Sequence, residues 1–498
     1  MLDFVQNPQA KAIFDGGLDP QTLIMNITAF SGKSLTLGTS VVVPDEIQEC
    51  PRARTAIKHL VDDGRFDYIE SGSLLDALYH NVASLPVGYE NVVRMVPLSL
   101  REFFVALGVQ PETLEILEEC YEQRREVPPA IHERMLQLTR LYLVCGGMPA
   151  AVDQLVTTQD FARVLSAQHD VVERCRLDIA RYAHNKGHVK AVFDAMPSEI
   201  AGANKRFILR DIAPAARMER YASDFTWLVD AGVTLPCYNV YAPQAPLVLN
   251  EQHDLFKLYP PDVGLLVAII KQPIQFELLQ GDAGINNGAI LETFAAQQLV
   301  ANGYDLRYFG KSTYGEIDFV LPHGLSTLAV EKTRRESSTS QNLDKVMEVK
   351  EWGINEALVF CPGNVQIDGS ICYLPWYMLM FCKLMKDGPM LVACKIKQTR
   401  DHSQRGSPRR SSQNGIAITA ISQRATLWRL LLFQSLIAQH EPIHRVLEYF
   451  ASDQDGAACH HGHRTSSPCI RIRYALAPPH GWLVHQYLYT KQLAIHTT

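Results

Sequence analysis

The pattern of apolar and polar positions divides the chain into stretches with the periods of strands and of helices. Residues 40–43 (SVVV) have the composition of a buried strand, residues 52–62 are predicted to form a helix, and residues 67–70 (DYIE) a second strand. Strands that alternate with helices are typical of a parallel sheet. We therefore expect a parallel α/β sheet in the first segment, residues 1–108.

The second segment, residues 109–270, is predicted to be mainly helical. Its apolar residues recur at spacings of three and four over long stretches, which is the period of an amphipathic helix. Residues 204–233 have the pattern of a compact helix-turn-helix, and residues 238–249 that of a hairpin beside it. Together they indicate a winged-helix-like part within a helical region.

The third segment, residues 271–394, is predicted to be a mixed α/β domain. A helix over residues 289–302 leads to a strand over 306–309. A hairpin then joins residues 316–321 to 327–331, with PHG at its turn.

The last segment, residues 395–498, differs from the rest of the chain in charge. It holds 13 Lys+Arg and 5 Asp+Glu residues and nine of the 17 histidines, although the whole chain has a net charge of −6. Its opening, residues 399–415, is rich in Arg, Ser and Gln, a composition typical of disorder. We expect a basic, His-rich tail that is partly disordered. Its histidines and cysteines lack the paired spacing of a zinc site.

The composition also bears on the cellular compartment. No run of about 18 apolar residues occurs, so no membrane span is expected. The N-terminus lacks a basic region followed by an apolar stretch, which argues against a signal peptide. The eleven cysteines are scattered singly without CxxC pairs, as in proteins whose thiols stay reduced. A cytoplasmic protein is predicted.

Several segments resemble, in order, a prokaryotic AAA-type ATPase family with a C-terminal restriction-endonuclease-like domain of unknown function. The segment VVVPDEIQECPRA resembles its Walker B strand. The others are YIESGSLL, SLPVGYENVVRMVPLSLREF, GGMPAAV, NKRF, WLVDAGV, FKLYPPDVGLL and EIDFVL. The resemblance covers about residues 1–390 and excludes the tail. It implies an α/β fold class: the remnant of a P-loop AAA-type parallel sheet, a helical and winged-helix middle, and a restriction-endonuclease-like α/β domain.

The resemblance also implies a nucleotide site for ATP and Mg²⁺. Asp45 takes the place of the Walker B acid that holds Mg²⁺, and Glu46 that of the acid that orients the attacking water. Ser73 ends a strand that resembles sensor 1, where a polar side chain approaches the γ-phosphate. One departure is Pro44, because proline removes a ladder donor from a strand. The alternative reading of these residues is a solvated acidic turn and an ordinary strand end.

The phosphate-binding loop of such a site is missing from the sequence. The segment FSGKS at residues 30–34 lacks the glycine of GxxxxGK[ST], because Ile27 stands at that position. It also lies too close to Val41 to supply a separate strand and helix, so a surface loop is expected. Weak or absent ATP binding follows. The family resemblance of the first residues suggests that the N-terminus is truncated or begins at a late start codon.

The third segment contains the acids of a restriction-type metal site. Glu292 on a predicted helix, Asp318 at a strand end and Glu331 on the next strand match the family's Mg²⁺ ligands. The acid-x-Lys motif is shortened, since Lys332 directly follows Glu331. Because side chains alternate along a strand, we expect the Lys332 amine to point away from the acids. The prediction is a nuclease-like fold without nuclease activity; the alternative is that the three acids line a solvated cleft.

Two functional classes remain open. One is an AAA-family ATP-binding protein that is weakened or inactive as an ATPase. The other is a non-enzymatic remnant that binds DNA or a protein partner through its middle and C-terminal domains. The oligomeric state is not predicted.

Overall fold

In the computed structural model, the described residues are 1–73, 91–202, 207–208, 218–270, 274–281, 288–333, 341–384 and 491–496. They belong to one compact unit. The fold is mixed α/β, with a largely parallel N-terminal sheet, helices in the middle and a C-terminal sheet region. Within the described residues, no helix is both long and apolar enough to cross a membrane.

The N-terminal sheet contains six strands. Five of them come from the first segment: β1 (Leu2–Asp3), β2 (Val41–Val42), β3 (Pro44–Asp45), β4 (Asp67–Ser73) and β5 (Asn91–Arg94). Strand β3 pairs in parallel with β1 and with β4, and β2 also pairs in parallel with β4. The parallel sheet predicted for residues 1–108 is therefore present, with a break at Val43 that separates β2 from β3.

The sixth strand, β15 (Lys491–His496), comes from the segment that the sequence assigned to the tail. It lies between β4 and β5 and runs antiparallel to both. The tail predicted to be partly disordered thus contributes one strand to the sheet, and its remaining residues lie outside the described part of the chain.

Two helices pack against the N-terminal strands. Helix α1 (Pro20–Ser31) begins at Asp19, whose carboxylate accepts the Thr22 amide, and ends at Gly32 in the left-handed conformation. Helix α2 (Pro51–Asp63) also begins with proline in its first turn and ends at a left-handed glycine. Their apolar faces bury Leu2, Phe4 and Tyr68 in one core.

The middle of the chain is helical, as its apolar period predicts. The helices are α3 (Leu100–Ala106), α4 (Pro111–Glu122), α5 (Pro129–Cys145), α6 (Pro149–Thr158), α7 (Phe161–Tyr182), α8 (Lys186–Ala201), α9 (Met218–Asp230), α10 (Val263–Ile270) and α11 (Gln275–Gln280). Helix α3 opens with a capping box in which Ser99 and Glu102 bond each other's backbone amides.

The C-terminal region has two sheets. The four-stranded sheet has the order β7 (Glu251–Tyr259), β6 (Leu235–Val240), β8 (Leu306–Lys311) and β9 (Gly315–Ile317). The five-stranded sheet has the order β10 (Phe319–His323), β11 (Ser326–Lys332), β12 (Ile354–Cys361), β14 (Ile371–Pro375) and β13 (Gln366–Asp368). Helices α12 (Gly288–Ala301) and α13 (Gln341–Met347) lie in this region.

Two details of this region differ from the sequence prediction. The hairpin β6–β7 pairs with β8, so strands from both sides of the predicted boundary at residue 270 share one sheet. The strand expected over residues 316–321 is divided at Asp318: β9 joins the four-stranded sheet and β10 the five-stranded sheet. Period-two alternation continues through such a change of sheet, so the sequence pattern alone could not show it.

Candidate functional site

Asp45 lies at the carboxyl end of β3, with parallel strands β1 and β4 on either side. Its side chain is 6% exposed, and Oδ1 accepts hydrogen bonds from the Ser71 hydroxyl and from the Glu46 amide. The carboxyl ends of parallel strands are where open α/β sheets bind ligands. The geometry thus places the carboxylate at a position from which it could hold a cation.

Glu46 adopts a left-handed backbone conformation, with φ of 54° and ψ of 51°. A glutamate rarely takes this conformation, which costs on the order of 1 kcal/mol, and such residues cluster at functional sites. Its carboxylate is also nearly buried and accepts a hydrogen bond of 2.7 Å from the Gln48 amide group. The two neighbouring acids are therefore held by backbone and side-chain contacts and do not form a freely solvated turn.

Strand β4 contributes Ser71 to this edge of the sheet. Gly72 follows it, and a Cβ there would lie 2.4 Å from the side-chain oxygen of Gln48, so the glycine permits a close approach. The backbone of Ser73 ends β4, but its side chain lies outside the described part of the chain. The serine in contact with Asp45 is Ser71, which the sequence analysis did not single out.

A third acid, Asp178 on α7, lies near this edge. Burial raises the pKa of Asp178, and the nearby charge of Glu46 raises it further, whereas Arg181 lowers it. Below the acids, Arg54 of α2 donates a hydrogen bond to Glu70 of β4, and both side chains are buried. This edge thus holds acidic and basic groups together, because the charges of Arg181 and Arg174 also act on Asp178.

The segment FSGKS was expected to form a surface loop, and it spans the end of helix α1. Phe30 and Ser31 end α1, Gly32 caps it, and Lys33 and Ser34 are exposed. A phosphate-binding loop precedes a helix, because the free amides at a helix N-terminus bind the anion. Here the segment follows a helix, whose carboxyl end carries partial negative charge. The residues present therefore do not match what the triphosphate of ATP requires.

The second candidate site is a buried group of carboxylates and lysines in the C-terminal region. Glu292 of α12, Glu316 of β9 and Asp318 place one carboxylate oxygen each within 4.8 Å of one another. Lys257 of β7 is 1% exposed, and its Nζ lies 3.0 Å from Glu292 and 2.8 Å from Glu316. The ammonium also lies 4.5 Å from the centre of the Tyr308 ring, a cation–π contact.

Lys332 of β11 completes this group. Its Nζ lies 3.1 Å from Glu292 and 3.6 Å from Asp318, and its backbone amide donates to Asp318. The expectation that this amine points away from the acids is therefore wrong. Glu331 was expected on the same side of β11 as the other acids, but Lys332 occupies that side, and strand alternation puts Val330 there with it. Glu331 is buried in β11 and is not among the three grouped carboxylates.

Tyr259 of β7 bonds the same group. Its hydroxyl donates a hydrogen bond of 2.7 Å to Glu292, whose side chain is fully buried. Burial raises the pKa of Tyr259 well above its usual value, and the negative charge of Glu292 adds to this effect. The tyrosine therefore stays protonated and acts as a donor to the carboxylate.

A third polar cluster contains residues from several of the segments that carry the family resemblance. Asp262, in FKLYPPDVGLL, is fully buried and accepts hydrogen bonds from the amides of Gly147 and Leu265, at 2.6 and 3.1 Å. The Gln297 amide group of α12 donates to the same carboxylate at 2.8 Å. Burial raises the pKa of Asp262 to about 6, although these hydrogen bonds oppose the shift.

The glycines of GGMPAAV make room for this cluster. A Cβ on Gly146 would lie 2.1 Å from the Asp262 carboxylate, and one on Gly147 would lie 2.0 Å from the Leu98 carbonyl oxygen. Gly146 also has a φ of 70°, which disfavours other residues. The turn between α5 and α6 therefore packs closely against α10 and α12. This packing role was not predicted from the sequence.

Comparison with known protein families gives three separate matches. An AAA domain matches residues 6–104, a domain of unknown function (DUF8612) matches residues 136–275, and another (DUF4143) matches residues 287–379. No curated protein and no solved structure matches the chain. The N-terminal AAA match and the C-terminal DUF4143 match together support an AAA-type ATPase family.

Proposed function

We propose that this chain is an AAA-family protein that retains the acid pair of the nucleotide site but binds Mg·ATP weakly or not at all. The observation that carries the proposal is the placement of Gly32 and Lys33 at the C-terminal end of α1. No segment of the sequence has the full GxxxxGK[ST] spacing. Asp45 and Glu46 remain at the strand end, where Mg²⁺ could bind to carboxylate oxygens.

The electrostatics of the strand end support weak nucleotide binding. In a working phosphate site, backbone amides and a lysine neutralise the β- and γ-phosphates. Here the only GK dipeptide near the strand end, Gly32-Lys33, follows α1 instead of preceding a helix, so it offers a phosphate chain no such cradle. We therefore expect no ATP turnover from this chain.

The test is phosphate release by the purified full chain in Mg²⁺ and ATP. The expected turnover equals that of the Glu46→Gln variant, which removes the acid without changing its size. Turnover that is at least tenfold above the Glu46→Gln variant would overturn the proposal, because a contaminating ATPase would act equally in both samples.

For the C-terminal region we propose a nuclease-like domain that no longer cleaves DNA and acts as a DNA- or protein-binding module. Lys257 and Lys332 place two positive charges against the three carboxylates Glu292, Glu316 and Asp318. A divalent cation at the carboxylates would meet both ammonium groups. In addition, the acid of an acid-x-Lys motif would stand two residues before Lys332, on the same side of β11. That position is Val330.

The test is incubation of the full chain with linear and supercoiled DNA in Mg²⁺ and in Mn²⁺. We expect intact DNA with the native chain and with Asp318→Ala. The informative variant is Val330→Glu, which creates an acid-x-Lys spacing on one side of β11. Cleavage by the native chain that is lost in Asp318→Ala would refute the proposal.

A further inference from the structure

The N-terminal sheet has a space, one strand wide, between β4 and β5. Because β15 runs antiparallel to both, β4 and β5 are parallel to each other and each pairs with β15. Neighbouring strands lie about 4.8 Å apart, so β4 and β5 are separated by about 10 Å. Among the described strands, β15 is what pairs with these two facing edges.

The register of β15 shows how the space is filled. All six of its residues pair with β4, from Lys491 opposite Ser73 to His496 opposite Tyr68. Four of them also pair with β5, from Gln492 opposite Arg94 to Ile495 opposite Asn91. A strand with two neighbours forms ladder hydrogen bonds along both of its edges. A strand added at the edge of a sheet forms them along only one.

The sequence of β15 alternates in a way that suits an interior position. Leu493 and Ile495 fall on one face of the sheet, at register positions opposite Ser71 and Ile69. The small Ala494 falls on the other face, opposite Glu70, whose carboxylate accepts from the buried Arg54. Large apolar positions and the small position thus alternate with the period of a strand.

The strand is joined to the rest of the unit by a long connection in sequence. The 106 residues 385–490 separate it from the last described residue of the C-terminal region. Loop-closure entropy grows only logarithmically with the number of residues between two paired strands, so this separation in sequence is compatible with the pairing. A six-residue strand that is so far from β4 and β5 in sequence can therefore be compared with a peptide ligand that binds by strand addition.

We propose that the space between β4 and β5 is a binding site for an extended peptide, and that its occupant is the chain's own residues 491–496. The segment is held by backbone pairing on both edges, and a free peptide of the same sequence exchanges with it. This inference does not depend on the proposed nucleotide chemistry. It assigns to the C-terminal segment the role of completing the N-terminal sheet.

A disulfide test measures the register directly. Register partners in an antiparallel pair have Cα atoms about 4.5–5.5 Å apart, within the range of disulfides. In the full chain, Ile69→Cys with Ile495→Cys is the matched pair, and Ile69→Cys with Leu493→Cys is the control, two residues out of register. We expect an intrachain cross-link that forms at least tenfold faster in the matched pair. Equal rates, no cross-link, or a cross-link between two chains would each overturn the proposal.

A second test opens the site. Ala494→Pro removes an amide from the middle of β15, whereas Thr498→Pro lies outside that strand. We expect amide hydrogens of residues 68–73 to exchange at least tenfold faster in Ala494→Pro, while α5 is unchanged, and a peptide of residues 489–498 to restore protection. Unchanged exchange, or exchange that the peptide does not slow, would refute the proposal. If α5 also loses protection, the disulfide pair decides.

Discussion

Substitution of Asp262 by asparagine tests the buried joint between the helical middle and the C-terminal region. Asparagine keeps the shape of the side chain, and its carbonyl oxygen can still accept from Leu265. Its amino group, however, then faces two donors, the Gly147 amide and the Gln297 side chain. If the side-chain amide is flipped, the amino group faces the amides of Leu265 and Gly264 instead. Gln297 cannot turn to offer its oxygen without losing the Val263 amide that it accepts at 3.0 Å. Each unsatisfied donor costs about 1–3 kcal/mol.

The pH dependence of this deficit has a defined sign. Burial raises the folded pKa of Asp262 to about 6, above its ordinary value of 3.8. Between these values the folded state binds more protons than the unfolded state, so the stability contributed by this group is fully present below 3.8 and is lost as the pH rises through 6. A shift of this size corresponds to about 3 kcal/mol at neutral pH. The asparagine variant has no such titration.

We therefore expect Asp262→Asn to lower the free energy of unfolding by about 2–3 kcal/mol near pH 4.5, and the deficit to shrink towards zero by pH 7.5. Urea unfolding at both pH values, with hydrogen exchange of the segment that holds Gly147, measures the effect. Asp254→Asn, on an exposed part of β7, is the control and should show no such change with pH. A deficit that is constant, or that grows as the pH rises, would refute the reasoning.

Three further predictions concern other buried groups. Gly146→Ala should cost at least about 3 kcal/mol of stability in thermal unfolding, because its Cβ would overlap the Asp262 carboxylate, whereas Gly108→Ala, where φ is also positive but the space around the Cβ is open, should cost about 1 kcal/mol. Lys332→Met should lower the melting temperature and acquire a stabilising response to Mn²⁺ that the native chain lacks; an equal response in both would contradict the assignment of the lysine as a counter-ion. Arg54→Met, which leaves the Glu70 carboxylate buried, should cost about 3–5 kcal/mol in urea unfolding, and a loss below about 1 kcal/mol would argue against a buried pair.

The elements that the sequence predicted well are those with a local cause. The period of apolar residues between positions 109 and 200 and the prolines at the starts of α4, α5 and α6 define helices without reference to distant parts of the chain. The strand end at Asp45 was equally readable, because a buried apolar run is followed by polar residues. The side chain of Ser73 remains an untested prediction.

What the sequence did not show depends on long-range contacts. Alternation along the strand puts Glu316 on the same side as Asp318, but Glu316 was not among the predicted acids. Lys257 reaches the group from a strand 35 residues before Glu292. Lys332 was predicted on the wrong side of β11 because Glu331 was assumed to face the other acids. A signal for Asp262 was present, since an Asp directly before the apolar run VGLLVAII is typical of a helix N-cap.

The central claim, an acid pair without a phosphate-binding cradle, is tested most directly by calorimetric titration of Mg·ATP into the full chain, with Asp45→Ala as the matched control. Without the cradle, the heats of binding should not saturate at submillimolar nucleotide and should be the same in both proteins. A micromolar dissociation constant in the native chain, weakened at least tenfold in Asp45→Ala, would contradict it.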